Sequence, residues 1–259
     1  MLRIALWLAA FAGFTLALAP LSPAGLRRRF LRRWAAGALR TLGIRLSCAS
    51  APSPAAGPAL LVANHVSSID PLLLGAIVPA CFVAKSQLAA AAWLRRPLAA
   101  AGTIFIDRDR REAVLHALAQ MYEALDSDET VALFPEATVS PVHGLHRFNS
   151  ALLEPGSEGV PVYLVALSLV RGDGAPCPEA DFLPGRSFAW GFWRLSAIPE
   201  LVARAVVLGP FDFSGVPRKR IALIAHEAID RALRERIEEP AHTLPPWAFQ
   251  KDMLRLDYQ

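Results

Sequence analysis

Along residues 59–238, short apolar runs alternate with longer segments in which apolar residues recur at helical spacing. Short apolar runs between turn residues are typical of buried strands, and the longer period is typical of helices that pack on a core. The pattern predicts strands at 59–63, 81–84, 103–106, 130–134, 161–167 and 205–208. It predicts helices near 70–78, 87–100, 110–125, 149–155, 189–203 and 217–238. This alternation predicts an α/β fold in which a mixed, largely buried sheet is flanked by helices.

The amino terminus carries an apolar segment of a different kind. Residues 4–19 contain no charged side chain and are followed by Pro20. As a helix they would be about 24 Å long, slightly short of a hydrocarbon core of about 30 Å. A short spanning helix, a half-inserted anchor and a cleaved signal peptide all remain open. A retained anchor is favoured, because the arginines that follow would keep that flank in the cytoplasm.

Those arginines belong to residues 26–45, a segment that contains no acidic residue. Its apolar side chains recur at helical spacing: Phe30, Leu31, Trp34, Ala35, Ala38 and Leu42. Such a helix is typical of a lipid interface, and the alternative is a helix that packs on the domain core. Beside an apolar anchor, the interfacial interpretation is favoured. The chain then divides into a membrane anchor with a basic amphipathic helix (1–46), a Pro-rich linker (47–58) and a catalytic domain (59–259). The expected location is membrane-associated, with the catalytic domain on the cytoplasmic face.

Composition narrows the function classes further. The chain has 259 residues, of which 54% are hydrophobic, and a formal net charge of +4. Three cysteines lack the spacing of a metal site, and no nucleotide-binding loop or serine-hydrolase elbow is present. The basic residues lie beside an apolar segment and match no nucleic-acid module, so lipid is the expected partner and nucleic acid is not.

The candidate chemistry begins at residues 64–70, Asn-His-Val-Ser-Ser-Ile-Asp, directly after a predicted strand. Imidazole takes up a proton near neutral pH, and a neighbouring carboxylate fixes its tautomer and stabilises the imidazolium. His65 and Asp70 therefore suit general-base catalysis on a substrate hydroxyl. A structural histidine is the alternative on spacing alone. A turn before a helix would bring the pair together, and backbone N–H groups at that helix start are candidate donors to a developing oxyanion.

Two later blocks change this balance: residues 102–108, Gly-Thr-Ile-Phe-Ile-Asp-Arg, and residues 134–140, Phe-Pro-Glu-Ala-Thr-Val-Ser. Together with the first block they resemble the motifs N-H-x(4)-D, G-x-x-F-I-x-R and F-P-E-G-T-R-S of the glycerolipid acyltransferases, typified by lysophosphatidate acyltransferase. Residues 160–165, Val-Pro-Val-Tyr-Leu-Val, resemble a fourth block. The resemblance covers roughly residues 55–215. In that family an N-terminal pair of helices embeds the enzyme in one leaflet.

The resemblance implies an O-acyltransferase of phospholipid biosynthesis. Such an enzyme moves an acyl chain from acyl-CoA or acyl-carrier protein to the free hydroxyl of a lyso-lipid. The first expectation is 1-acyl-sn-glycerol-3-phosphate as the acceptor and phosphatidic acid as the product. The thioester is a co-substrate, and neither a cofactor nor a metal is expected. The resemblance implies that His65 is the base and that Asp70 orients it.

The remaining site residues are assigned by the same resemblance. Arg108 is expected to bind the phosphate of the acceptor, and Glu136 to contact the polar end of the acceptor. Thr138 would donate a hydroxyl to the substrate or stabilise its turn. Asn64 would contact the substrate or brace the loop.

Three residues depart from the family pattern. Ala137 stands where the family has glycine, which questions any positive φ there. Val139 stands where many members have arginine, and Asn149 where a basic residue is common. A weaker phosphate site would admit other acceptors, such as a lyso-ornithine lipid. A thioester hydrolase and a non-catalytic lipid-binding module are the alternatives of other classes.

Overall fold

A computed structural model describes residues 2–18, 22–50, 57–90, 92–107, 110–140, 144–180 and 188–238. Its centre is a seven-stranded sheet with the strand order β1-β7-β6-β2-β5-β3-β4. All neighbouring strands run parallel except β6 and β7, which pair antiparallel. The strands are β1 (Arg45–Ser50), β2 (Ala59–Ala63), β3 (Cys81–Lys85), β4 (Ile104–Ile106), β5 (Thr130–Leu133), β6 (Val162–Val170) and β7 (Val202–Phe211).

Helices connect these strands and cover both faces of the sheet. They are α1 (Leu2–Gly13), α2 (Ala24–Thr41), α3 (Asp70–Ile77), α4 (Ala92–Ala100), α5 (Arg111–Asp126), α6 (Glu154–Ser157), α7 (Phe188–Ser196) and α8 (Arg218–Glu238). A π-helical turn, Phe14–Leu18, continues α1, and short 3₁₀ turns span Ser86–Ala90, Ala151–Leu153 and Pro178–Ala180. The predicted α/β class with a mixed, flanked sheet is confirmed.

The sequence prediction misses one strand and extends one helix too far. Strand β1 spans the predicted boundary between the amphipathic segment and the linker, because its small and polar residues from Ser47 onward resemble the Pro-rich stretch that follows. It is an edge strand paired only with β7, so most of its described side chains remain exposed. The helix predicted for 189–203 ends at Ser196, and the chain enters β7 at Val202. Pro199 lies between them and cannot continue a helix.

The core is divided between the two faces of the sheet, as expected for strands buried on both sides. Leu60 and Val62 of β2 face a cluster that includes α5 and α8, whereas Leu61 and Ala63 face the side of α3. Beyond α3, a further cluster joins α2, α3 and α7, which we call the α2–α3 cluster. It contains Ala35, Leu39, Leu42, Ile44, Ile69, Leu73, Ala76, Leu195 and Leu201.

The amino-terminal helices pack on each other and on this cluster. The Trp34 indole donates to the Trp7 carbonyl over 2.8 Å, and the Phe11 ring stacks on Trp34 at 4.4 Å. Ala35, Ala38 and Leu42 of the predicted amphipathic face are buried within the protein. For this part of the face, packing on the domain core therefore replaces the interfacial interpretation. Within the described residues, no helix has both the length and the apolar character required to cross a bilayer.

Candidate active site

The candidate catalytic residues lie at the carboxyl-terminal end of two central strands of the sheet. Strands β2 and β5 are parallel neighbours, with Val62 opposite Leu133, so their carboxyl ends lie side by side. The chain leaves β2 toward His65 and leaves β5 toward Glu136. Open parallel sheets bind ligands beyond the carboxyl ends of their strands, so an active site is expected at this end of β2 and β5.

His65 and Asp70 meet as predicted. His65 Nδ1 lies 2.7 Å from Asp70 Oδ2. Asp70 is fully buried at the first position of α3, while the His65 side chain is 23% exposed. A carboxylate at Nδ1 favours the tautomer that carries its proton there, and this leaves Nε2 as the acceptor. The imidazole can therefore take a proton from a group on its exposed side.

The loop before α3 holds Asp70 in place. Its Oδ2 also accepts the Val66 N–H over 2.6 Å and the Ser67 N–H over 2.9 Å, and its Oδ1 accepts the Ser67 hydroxyl over 2.9 Å. These bonds give both oxygens of the buried side chain hydrogen-bond partners. The expectation of oxyanion donors is corrected, because the N–H groups at the start of α3 have protein partners. Those of Asp70 and Leu72 donate to the Ser67 and Ile69 carbonyls, and Pro71 has no N–H group.

Asn64 braces the loop from the strand side. Its Nδ2 donates to the Leu167 carbonyl over 3.0 Å, and its Oδ1 accepts the Leu167 N–H over 2.7 Å. The side chain is fully buried and continues the pairing of β2 with β6 beyond Ala63. Of the two roles left open for Asn64, this geometry supports bracing.

Glu136 joins three segments rather than facing an open cleft. Its Oε1 accepts the His65 N–H over 2.9 Å and the Ser140 hydroxyl over 2.6 Å, and its Oε2 accepts the His146 N–H over 2.7 Å. The residue is only 5% exposed. Because the Ser140 N–H donates to the His65 carbonyl, the third block binds both backbone polar groups of His65. Both carboxylate oxygens thus have protein partners, whereas the resemblance implied a contact with the acceptor.

The turn after Glu136 has the conformation that the glycine of the family would favour. Ala137 has φ 64°, and its N–H donates to the Phe134 carbonyl over 3.2 Å. A left-handed backbone at a residue with a β-carbon costs about 1–2 kcal/mol. Thr138 is exposed on this turn, and Val139 is half-buried. The turn therefore keeps its shape although its glycine is replaced.

A small apolar cleft shares the Phe134 side chain with the pair His65 and Asp70, which we call the dyad. It is lined by Ile106, Val114, Leu133, Phe134, Pro135, Asn149, Ala151 and Leu152. The Phe134 ring stacks on the His65 imidazole, with ring centroids 4.5 Å apart. Asn149 supports the cleft wall, because its Oδ1 accepts the Ala151 N–H over 2.9 Å and its N–H donates to the Pro135 carbonyl. Phe134 therefore links the imidazole to a small apolar cavity of about 30 Å³, which has room for about one water molecule.

Comparisons with known proteins show the family of the chain. The family model described as Acyltransferase matches residues 48–168. A lyso-ornithine lipid O-acyltransferase of Pseudomonas aeruginosa is 32% identical over 212 residues, which cover 80% of each protein. The chain belongs to the acyltransferase family. A 1-acyl-sn-glycerol-3-phosphate acyltransferase of Neisseria gonorrhoeae is 29% identical over 205 residues, which cover 78% of this chain and 75% of that protein.

The fold of this acyltransferase also matches a solved structure. The 1-acyl-sn-glycerophosphate (LPA) acyltransferase PlsC of Thermotoga maritima superposes with a TM-score of 0.68. The match covers 93% of this chain and 98% of that one, at 21% sequence identity.

Sequence reasoning about this acyltransferase found the dyad but missed most of its support. Ser67, Ser140 and the backbone of His146 were not singled out as partners of the two carboxylates. The spacing Ser67-x-x-Asp70 resembles a capping box, which is a signal that could have revealed the first of them. The bonds from Ser140 and His146 have no such local signal. Arg108 lies outside the described residues, so its phosphate contact stays a prediction.

Proposed function

We propose that this acyltransferase moves an acyl chain from a thioester to the free hydroxyl of a lyso-lipid. One observation carries the proposal: His65 Nδ1 is bound to the buried Asp70 while the imidazole remains partly exposed beside an apolar cleft. A base in this position suits the activation of an alcohol.

The proton balance of the reaction follows from this geometry. His65 Nε2 takes the proton of the acceptor hydroxyl as its oxygen forms a bond to the thioester carbonyl carbon. Asp70 stabilises the imidazolium through Nδ1. The tetrahedral intermediate then breaks its carbon–sulfur bond, and the leaving thiolate takes the proton back from Nε2. The products are an ester and a free thiol, and no covalent acyl-enzyme is required.

The acceptor that we propose first is 1-acyl-sn-glycerol-3-phosphate, the substrate named for the Neisseria gonorrhoeae relative. Arg108 would bind its phosphate. A lyso-ornithine lipid is the second candidate, because Val139 and Asn149 replace basic residues of the family pattern. The relative from Pseudomonas aeruginosa bears the name of that second activity. The proposed donor is acyl-CoA or acyl-carrier protein.

The helices α1 and α2 are proposed to hold the enzyme on the cytoplasmic leaflet. Leu6, Leu16 and Leu26 are largely exposed on or beside these helices, and Arg29 and Arg33 are exposed on α2. Exposed apolar residues beside arginines are typical of contact with anionic lipid.

An acceptor panel tests the proposed function. Purified protein is incubated with radiolabelled acyl-CoA, or acyl-carrier protein, and each of several lyso-lipids, and the lipid and free fatty acid fractions are separated. Label in phosphatidic acid supports the first acceptor, and label in ornithine lipid supports the second. Fatty acid released equally with and without a lyso-lipid would identify a hydrolase and contradict the proposal.

The variant Arg108→Ala sharpens the choice of acceptor. If Arg108 binds a phosphate, the KM of the phosphate-bearing acceptor should rise by about tenfold or more, while the KM of the donor stays constant. An equal rise for donor and acceptor would contradict a phosphate contact by Arg108.

A further inference from the structure

Helix α7 carries an aromatic surface that the proposed reaction does not use. Trp193 is 53% exposed, Trp190 and Phe192 are half-buried, and the helix contains no acidic residue. The guanidinium of Arg194 lies 5.3 Å from the centre of the Trp190 ring. Leu195 is buried in the α2–α3 cluster and anchors the helix to the domain. An exposed tryptophan with a neighbouring cation is therefore held on a fixed support.

This helix also lies against the loop that carries the dyad. A β-carbon placed on Gly191 would lie 2.9 Å from the Ser68 hydroxyl oxygen, which is closer than real β-carbons approach. The missing side chain of Gly191 thus lets the helix backbone approach the segment between His65 and Asp70. Trp193 lies two positions further along the helix, on the opposite side, so a partner bound there is about one helix diameter from the catalytic loop.

The exposed apolar residues differ between the two faces of the sheet. Among the described residues, the large exposed apolar side chains on the face of α5 and α8 are Leu115 and Leu223, and both are aliphatic. On the other face, α7 shares the α2–α3 cluster with α2, and Leu26 is 55% exposed near the start of α2. Tryptophan is enriched where proteins meet the interfacial region of a bilayer, since its ring is apolar and its N–H is polar.

We propose that α7 is a second membrane-contact element, and that Trp193 inserts into the same lipid leaflet that α1 and α2 are proposed to contact. The fitting partner is a bilayer with anionic head groups, because the helix offers a cation and no acid. With Trp193 in the leaflet, the dyad loop lies on the far side of α7, about 10 Å from the membrane surface. Only the activity measurement below rests on the proposed acyl transfer.

Vesicle binding of the full chain tests this surface. Vesicles of equal parts phosphatidylcholine and phosphatidylglycerol are sedimented with the wild-type protein, with Trp193→Asp, and with the matched control Leu115→Asp, whose leucine is 60% exposed on α5. Trp193→Asp should weaken binding by about tenfold or more, because it removes buried apolar area and adds an anion. Leu115→Asp should bind like the wild type. Equal binding of all three proteins would overturn the proposal, including the case in which the patch serves a protein partner.

A second measurement does not depend on a disruptive variant. The chain has six tryptophans, so the conservative variant Trp193→Phe isolates the contribution of one of them. Vesicles with brominated acyl chains should quench wild-type fluorescence more than that of Trp193→Phe. Equal quenching of the two proteins would show that Trp193 stays out of the lipid, contrary to the proposal.

Acyl-transfer assays distinguish a role of Trp193 in membrane contact from a role in the reaction itself. Trp193→Asp should lose acylation of a vesicle-embedded lyso-lipid but keep that of a short-chain, monomeric one. Loss of both activities, with an unchanged unfolding temperature, would assign Trp193 to the catalytic loop and overturn the proposal. If no protein acylates any lyso-lipid while vesicle binding falls as expected, the membrane contact stands and the proposed function fails.

Discussion

The loops that follow β2 and β5 each bury a carboxylate in the candidate active site, but the two carboxylates receive their hydrogen bonds from different parts of the chain. Asp70 receives its donors from His65, Val66 and Ser67, all within five positions of it. Glu136 receives one donor from its own loop, Ser140, and two from other segments, His65 and His146. The hydrogen bonds of the first loop are local and orient an imidazole, whereas those of the second loop connect three separate segments. A motif can therefore be essential without touching the substrate.

Removing the imidazole should have the largest effect and should affect only the first loop. His65→Ala should lower kcat by on the order of 10³-fold or more, because it removes the proton acceptor. The free energy of unfolding should fall by only about 1–3 kcal/mol, because the buried Asp70 loses one donor and keeps those of Val66 and Ser67. Denaturant unfolding and acyl transfer are measured on the same preparation. Transfer at the wild-type rate would exclude His65 as the base.

Neutralising the local carboxylate should come next. Asp70→Asn keeps the shape, and its amide group can face the Ser67 hydroxyl, which can also accept a hydrogen bond. The lost charge should lower kcat by about 10²- to 10⁴-fold with little change in either KM. Steady-state kinetics over both substrates measure this. A variant that loses stability rather than kcat would show that Asp70 serves folding instead.

Neutralising the second carboxylate should show the opposite balance. Glu136→Gln can accept through only one oxygen, so at least one of its three donors loses its partner. We expect unfolding to become easier by about 2–3 kcal/mol and kcat to fall with every acceptor alike. Ser140→Ala is the matched control, since it removes a single hydrogen bond and should cost about 1 kcal/mol. A rise in KM confined to one acceptor would instead indicate direct contact between Glu136 and that acceptor.

The smallest expected effect concerns the left-handed turn of the second loop. Ala137→Gly relieves a conformational cost of about 1–2 kcal/mol but adds about 0.5–1 kcal/mol of chain entropy to the unfolded state. The protein should become more stable by up to about 1 kcal/mol, with unchanged kinetics. Ala137→Val is the contrasting variant and should destabilise. Thermal unfolding measures both, and a loss of stability in Ala137→Gly would contradict a strained backbone at this position.

The two loops also show how far sequence reasoning reaches. The strands before them and the pair His65 and Asp70 follow from local patterns: buried apolar runs, then a polar turn that starts a helix. The partners of Glu136 could not be read in this way, because His65 lies seventy-one positions away along the chain. The sequence prediction missed strand β1 for a related reason. Leu46 is its only large apolar residue, so the run has a weak local strand signal, and its pairing partner β7 lies far along the chain.

The ion pairs at the start of α2 have a consequence for how the protein holds together. Arg27 binds Glu129 over 2.6 Å, and Arg28 donates to the Asp128 carbonyl over 2.7 Å, at the turn that leads into β5. Glu129 is buried, so deletion of the first two helices would leave its charge without a partner. The deletion would also expose the apolar side chains of α3 that pack on α2. The amino-terminal helices are thus part of the folded domain and not a separable anchor. Their deletion should yield an insoluble protein.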